Sequence, residues 1–240
     1  MSRGIFIIGT DTDAGKTVVA AGLMCLLLEG KHRAAYFKPV ASGEVEENGR
    51  KVSADAAFVR AASGFAEAQD KVTPFAFADA VAPHLAARLS GRRIDRTLIQ
   101  KSLADLKNGY EIIIGEAAGG LAVPLDDNGW MQYELIRELG FPCLLVARAG
   151  LGTINHTLLT LHLAKSVGLR IKAILINRAG DTPIEQDNIA MIRKLSGIGE
   201  IFILPAVEGL DAEKLQPGKL GPVFKQSIPL DQMLMLMEPV

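Results

Sequence analysis

Six short apolar runs punctuate the chain, at residues 4–9 (GIFIIG), 34–40 (AAYFKPV), 110–116 (YEIIIGE), 142–147 (PCLLVA), 171–177 (IKAILIN) and 200–205 (EIFILP). Their apolar residues follow one another instead of alternating with polar ones, as in strands covered on both faces of a parallel sheet. Helices are predicted at 16–29, 94–108, 131–139, 155–167 and 184–195. Alternation of strands and helices predicts an α/β fold with a doubly wound, mostly parallel sheet. Right-handed crossovers then bring every strand's C-terminal end to one edge, where such sheets bind ligands. Residues 44–62 are more polar and read as a loop leading into a helix. Beyond Glu208, LQPGKLGPVF and the closing LDQMLMLMEPV leave three readings open: an ordered edge, a dimer contact or a frayed end.

No repeat, low-complexity tract or linker divides the 240 residues, so a single domain over 1–240 is expected. Lys and Arg number 26 against 27 Asp and Glu, which gives no general field for nucleic acid or an anionic membrane. With 49% hydrophobic and 22% charged residues the chain is not a disordered one. No apolar run approaches the roughly 18 residues of a membrane span. The opening MSRGIFIIGTDTD reaches acidic and turn residues too soon for a signal peptide. Cys25 and Cys143 lie in apolar segments and read as buried free thiols, which points to the reducing cytoplasm.

The strongest chemical signal is GTDTDAGKT at residues 9–17, directly after the first strand and opening the first helix. Backbone N–H groups of such a loop, with the helix N-terminus, hold a polyphosphate. Lys16 is expected to reach the β and γ phosphates and the Thr17 hydroxyl to ligate Mg²⁺, giving a P-loop NTPase-like fold. Five residues separate Gly9 from Gly15, one more than in the usual motif; the plain alternative is a glycine turn before a buried helix. The next stretch, TVVAAGLMCLLL, is apolar on nearly all sides and belongs to the core.

Other strand ends carry polar groups toward the same edge: Lys38, Glu116, Asn177 and Arg178, with Pro205 at the sixth. Glu116 follows an apolar strand, where P-loop proteins place a carboxylate that meets Mg²⁺; otherwise it is a solvated strand-end residue. Lys38 alone reads as a surface lysine, but Pro39 and Ser42-Gly43 beside it favour a second phosphate cation. Asp55, taken alone, reads as a helix N-cap. Gly119-Gly120 permits close backbone approach to a ligand. Residues 150–155 (GLGTIN) open a helix and offer free N–H groups to a carboxylate, or form a plain capped helix. His84, His156 and His162 have no zinc-ligand spacing with the cysteines.

Taken in order, GTDTDAGKT, FKPVASG, SADA, APH, GEAAGGLAVPL, LGTINHTLLT, ILINR and the region around Pro205 resemble the dethiobiotin synthetases, over residues 3 to about 208. The five-residue P-loop spacing is itself characteristic of that family. Its usual Glu-Gly-Ala-Gly-Gly stands here as Glu116-Ala117-Ala118-Gly119-Gly120. The resemblance implies joining of 7,8-diaminononanoate and CO₂ at the expense of ATP, by way of a carbamate, to give dethiobiotin, ADP and phosphate. It implies Lys38 and Lys16 as catalytic cations, and Thr17, Asp55 and Glu116 around Mg²⁺. Nucleotide contacts would come from Asp13, Ala14, Gly15, Lys16, Thr17, Val18, Asp55, Glu116, Ala117, Ala118 and Gly119, with Asn177, Arg178, Pro205, Ala206 and Val207 framing the base. Thr12 and Ser42 would touch substrate, and Gly152, Thr153, Ile154 and Asn155 would take its carboxylate from across a homodimer. Two rival readings fit the residues less well. A cobyrinate-type amidotransferase would need a glutaminase domain for which the chain is too short, and a partitioning ATPase typically carries an early P-loop lysine that residues 9–15 lack.

Overall fold

The computed structural model describes residues 2–47 and 49–240. Strand β1 (Arg3–Gly9) is the hub of a seven-stranded sheet. It lies between β7 (Ile112–Glu116) and β8 (Cys143–Arg148). Beyond β7 comes β2 (Ala34–Phe37); beyond β8 come β9 (Ile171–Ala179) and β10 (Glu200–Pro205), all parallel. Ile5, Ile7, Ile112 to Ile114 and Leu144 to Ala147 are fully buried, which is why the runs show no alternation. After β1 the chain moves toward β2, whereas after β8 it moves toward β9. The sheet order therefore reverses between β1 and β8, and a crevice opens there at the C-terminal edge.

The run at 34–40 is not one strand. Pro39 has no N–H for the ladder, and the Lys38 N–H donates instead to Val72 O at 2.8 Å. The chain leaves the sheet there, and β3 (Val40–Ser42) pairs with β6 (Phe75–Phe77) in a separate ribbon. The expected loop at 44–62 is a hairpin, β4 (Glu44–Glu47) and β5 (Arg50–Ser53), ahead of α2 (Ala54–Ser63). Its register sets Val45 opposite Val52, Glu46 opposite Lys51 and Glu47 opposite Arg50, and the Glu47 carboxylate ties the hairpin to Arg60 of α2 at 2.7 Å. Two short helices, α3 (Gln69–Val72) and α4 (Pro83–Leu89), precede α5 (Arg96–Gly109). Helices α6 (Gln132–Leu139), α7 (Thr153–Ser166) and α8 (Pro183–Leu195) fall near their predicted positions.

The tail is ordered. Helix α9 (Leu220–Ser227) packs on α1 (Lys16–Glu29), and the fully buried Phe224 seats on Gly22, where a Cβ would stand 2.2 Å from the ring. Between α2, α9 and the sheet, α1 is covered all round, as its sequence requires. Helix α10 (Leu230–Leu236) leads to β11 (Glu238–Pro239), which pairs antiparallel with the start of β1. Cys25 and Cys143 are buried free thiols. Among the described residues no helix is long and apolar enough to cross a membrane.

Candidate active site

The loop after β1 turns through a short 3-10 segment, Thr12–Ala14, and enters α1 by way of Gly15. Gly15 has φ of 96°, a left-handed conformation that side chains resist. A Cβ there would also lie 1.9 Å from Asn177 Nδ2, which donates to Ala14 O at 3.0 Å. Asn177, at the end of β9, is thus a strut behind the loop and is itself buried. The Lys16 ammonium folds back over the loop, donating to Asp11 O (3.0 Å) and Thr12 O (3.1 Å). Burial, and then the charge of Lys38, lower Lys16 to about 8.

Five further groups converge, from α1, α2, β7 and β2 with the residue after it. Lys38 Nζ lies 2.5 Å from Asp55 Oδ2 and 2.7 Å from Glu116 Oε1. Thr17 Oγ1 is 2.8 Å from both Asp55 Oδ1 and Glu116 Oε1. Tyr36 donates to the other oxygen of Glu116, Oε2, at 2.7 Å. Burial opposes the Lys38 ammonium, but Asp55 and then Glu116 outweigh it and hold its pKa above that of an ordinary lysine. Burial likewise opposes the Asp55 carboxylate, and the Lys38 charge with hydrogen bonds from Lys38 and Thr17 keeps it below the usual range. Burial and the Glu116 charge push Tyr36 well above an ordinary tyrosine.

Burial decides between the alternatives that the sequence leaves open for Lys38 and Glu116, and a cap hydrogen bond decides for Asp55. Lys38 is 4% exposed, not a surface lysine, because the chain folds it under β3 onto two carboxylates. Glu116 has no exposure and is not a solvated strand end. The N-cap of α2 is Ser53, which accepts from Ala56 N at 3.3 Å, so the Asp55 carboxylate is left to face Lys38 and Thr17. One hydroxyl proton on Thr17 cannot serve two carboxylates at once. This convergence of hard oxygens suits a small divalent cation that keeps waters and phosphate oxygens as its other ligands.

These groups floor a cleft of about 640 Å³ at the C-terminal edge of the sheet. Thr12, Asp13, Gly15, Lys16, Thr17, Val18, Lys38, Ser42, Asp55, Glu116, Ala118, Gly119 and Arg178 all line it. Ala14 and Ala117 do not; both are buried in the core, so the methyl of Ala117 points away from the cleft. Pro205 and Ala206 stand exposed where β10 ends, with Val207 half-buried, while the outer wall nearby is Leu210 to Glu213. Gly152 and Thr153 open α7 beside a second hollow of about 310 Å³, which shares Arg148 and Arg178 with the cleft. Ile154 is half-buried, and Asn155 is exposed and lines neither hollow. Several contributors have no sequence signal of their own. They are Tyr36, Arg148, which pairs with Asp11 at 3.0 Å, and the wall at 210–213. Another is Gln132, which accepts from Ala118 N (2.7 Å) and donates to Gly120 O (2.8 Å), pinning the loop after β7.

A family model described as an AAA domain matches residues 3–214. The ATP-dependent dethiobiotin synthetase of Caldicellulosiruptor saccharolyticus is 40% identical over 230 residues, covering 93% of both chains. That of Clostridium kluyveri is 38% identical over 219 residues, covering 90% of this chain and 91% of its own. The chain belongs to the dethiobiotin synthetase family. Solved structures extend the likeness of fold: the MinD cell division protein of Aquifex aeolicus superposes with a TM-score of 0.63 at 15% identity, covering 100% of this chain and 99% of its own. MinD of Pyrococcus horikoshii, complexed with Mg-ADP, gives 0.61 at 19% identity over 98% and 96%. The chain thus shares its α/β architecture with those proteins, and at such identities the likeness is one of fold alone.

Proposed function

We propose that the cleft performs the reaction of an ATP-dependent dethiobiotin synthetase of biotin biosynthesis, a C–N bond-forming ligase. 7,8-Diaminononanoate and CO₂ form a carbamate on one amine. A carbamate oxygen then bonds to the γ-phosphorus of ATP as the β–γ bridge breaks and ADP leaves. The second amine attacks the carbamoyl carbon, phosphate departs with the C–O bond, and a proton is lost as the ureido ring closes.

The observation that carries this reading is the convergence of Lys16, Lys38, Thr17, Asp55 and Glu116 on one phosphate-binding loop. A carbamate anion must approach a triphosphate anion, so the site has to supply positive charge where oxygens meet. Lys38 is held cationic by its two carboxylates and is positioned to orient the transferring oxygens. Lys16 can exchange loop carbonyls for phosphate oxygens. Thr17, Asp55 and Glu116 fit Mg²⁺, which when bound would neutralise phosphate charge. Gly15 and the α1 N-terminus supply backbone N–H groups, and Asp13, Val18, Ala118 and Gly119 line the phosphate channel, with Arg178, Pro205, Ala206 and Val207 toward the base.

Thr12 and Ser42 face the diamine. Gly152 to Asn155 would hold its carboxylate from the partner of a homodimer. The exposure of Leu151 (97%) and Leu159 (61%) beside that helix start supports a covered face there. The buried thiols agree with a cytoplasmic enzyme. The test is ADP release by the purified protein with Mg-ATP. Release is expected only when the diamine and bicarbonate are both present; turnover indifferent to either would sink the assignment.

A further inference from the structure

Two side chains of β2 and its end grip the same carboxylate. In the parallel ladder Tyr36 pairs with Ile114 and Phe37 with Gly115, so Tyr36 shares a face with Ile114 and, one period on, with Glu116. Lys38 follows Tyr36 by the same period. Lys38 holds Oε1 of Glu116 at 2.7 Å, toward the cleft, where Thr17 also meets it. Tyr36 holds Oε2 at 2.7 Å from within the core; it is 1% exposed and does not line the cleft. The two oxygens of Glu116 are therefore not equivalent: one faces the cleft, and the other is tied to a hydroxyl that nothing entering the cleft touches.

We propose that Tyr36 sets the cation preference of the site, by withholding one oxygen of Glu116 so that the carboxylate offers only the other to a divalent ion. The inference rests on the reading that Glu116 serves the cation. Calcium accepts both oxygens of a carboxylate and a loose shell of six to eight ligands, whereas magnesium demands a tight octahedron with few carboxylates. Held toward the core by Tyr36, Oε2 is turned away from an ion in the cleft, which works against the two-oxygen mode and so disfavours the larger ion. Tyr36 acts through Glu116 and is a positioning residue. Hydrogen-bond partners behind a ligand commonly act in this way. If the hydroxyl merely filled space, its loss would lower stability and leave the preference between ions untouched.

The experiment is a thermal-midpoint titration of the full chain at fixed ADP, with Mg²⁺ in one series and Ca²⁺ in the other. Wild type, Tyr36→Phe, Glu116→Gln and the double variant are compared, and chelation by ADP cancels between proteins. Tyr36→Phe is expected to narrow the preference for Mg²⁺ over Ca²⁺ by about tenfold. In the Glu116→Gln background the same substitution should change neither series. An unaltered Mg²⁺/Ca²⁺ ratio in Tyr36→Phe overturns the inference. So does wild type responding equally to both ions, a result that needs no variant to fold. If Glu116→Gln itself shifts neither titration, Glu116 is no cation ligand, and both the underlying reading and this inference fall.

Discussion

Lys38 and Glu116, 78 positions apart in sequence, meet at 2.7 Å at the ends of neighbouring strands, both almost wholly shielded from water. Removing one member of such a pair strands the other's charge, at a cost of roughly 3–5 kcal/mol where burial is complete. Asp55 is partly exposed and eases that cost. Lys38→Ala is expected to lower stability by about 3 kcal/mol in denaturant titrations. Adding Glu116→Gln should recover part of the loss. Turnover should fall by about 10²–10³-fold, as when one electrostatic contact to a transition state is deleted.

Glu116→Gln keeps the shape of the side chain and removes its charge. The variant should fold, need more Mg²⁺ at saturating ATP and reach a lower maximal rate. An unchanged Mg²⁺ titration at an unchanged rate would leave the metal to Thr17 and Asp55.

Gly15→Ala meets two obstacles, a left-handed φ of 96° and an Asn177 nitrogen 1.9 Å from the new Cβ. ADP affinity should fall at least about tenfold, since the strained φ alone costs on the order of 1–3 kcal/mol. Asn177→Ala in the same chain removes the clash but not the φ strain, so calorimetry should find only partial recovery.

Lys16 titrates near 8 in the folded protein against 10.5 when free of it. Between those values the unfolded chain binds more protons, so the stability penalty of burying Lys16 is full below about pH 8 and is relieved as pH rises toward 10.5. Phosphates favour the charged form, so ADP binding above pH 8 must take up a proton. Its affinity should be flat below pH 7 and weaken by up to about tenfold per unit above 8. Calorimetry in buffers of different ionisation enthalpy measures the uptake; a flat profile to pH 9.5 would refute it.

Phe224→Ala empties the seat on Gly22 and should cost about 3–5 kcal/mol of stability by chemical denaturation, as for other buried phenylalanines. ADP should still bind, since Gly22 stands six residues along α1 from Lys16, whose ammonium contacts belong to the loop.

All six apolar runs contain strands because both faces of this sheet are covered, and the P-loop was legible because its parts are contiguous. The hairpin at 44–53 was not, since its one apolar cross-strand pair, Val45 and Val52, is set among charged positions that read as loop. The tail was opaque because Phe224 and Gly22, its anchoring pair, lie on segments that show their fit only in space. In the site, Lys16, Thr17 and Glu116 could be read from motif and strand end. Tyr36 could not: a tyrosine inside an apolar run looks like core, and only the register of β2 against β7 aims its hydroxyl at a carboxylate. Gln132 is likewise chosen by packing, and no spacing announces it.

Order in the chain and order in the sheet disagree at one place that matters for assembly. Strand β7 lies between β1 and β2, although residues 38–111 separate it from β2. The two earlier strands have no ladder to each other and must wait for a third to wedge between them. That late strand also carries Glu116. Closing the middle of the sheet and completing the anionic half of the site are therefore one event, built from distant contacts of the kind that slow folding. Chains halted short of residue 112 would have neither a continuous sheet nor a partner for Lys38 on that side, so catalytic competence should return during refolding no earlier than the central sheet itself.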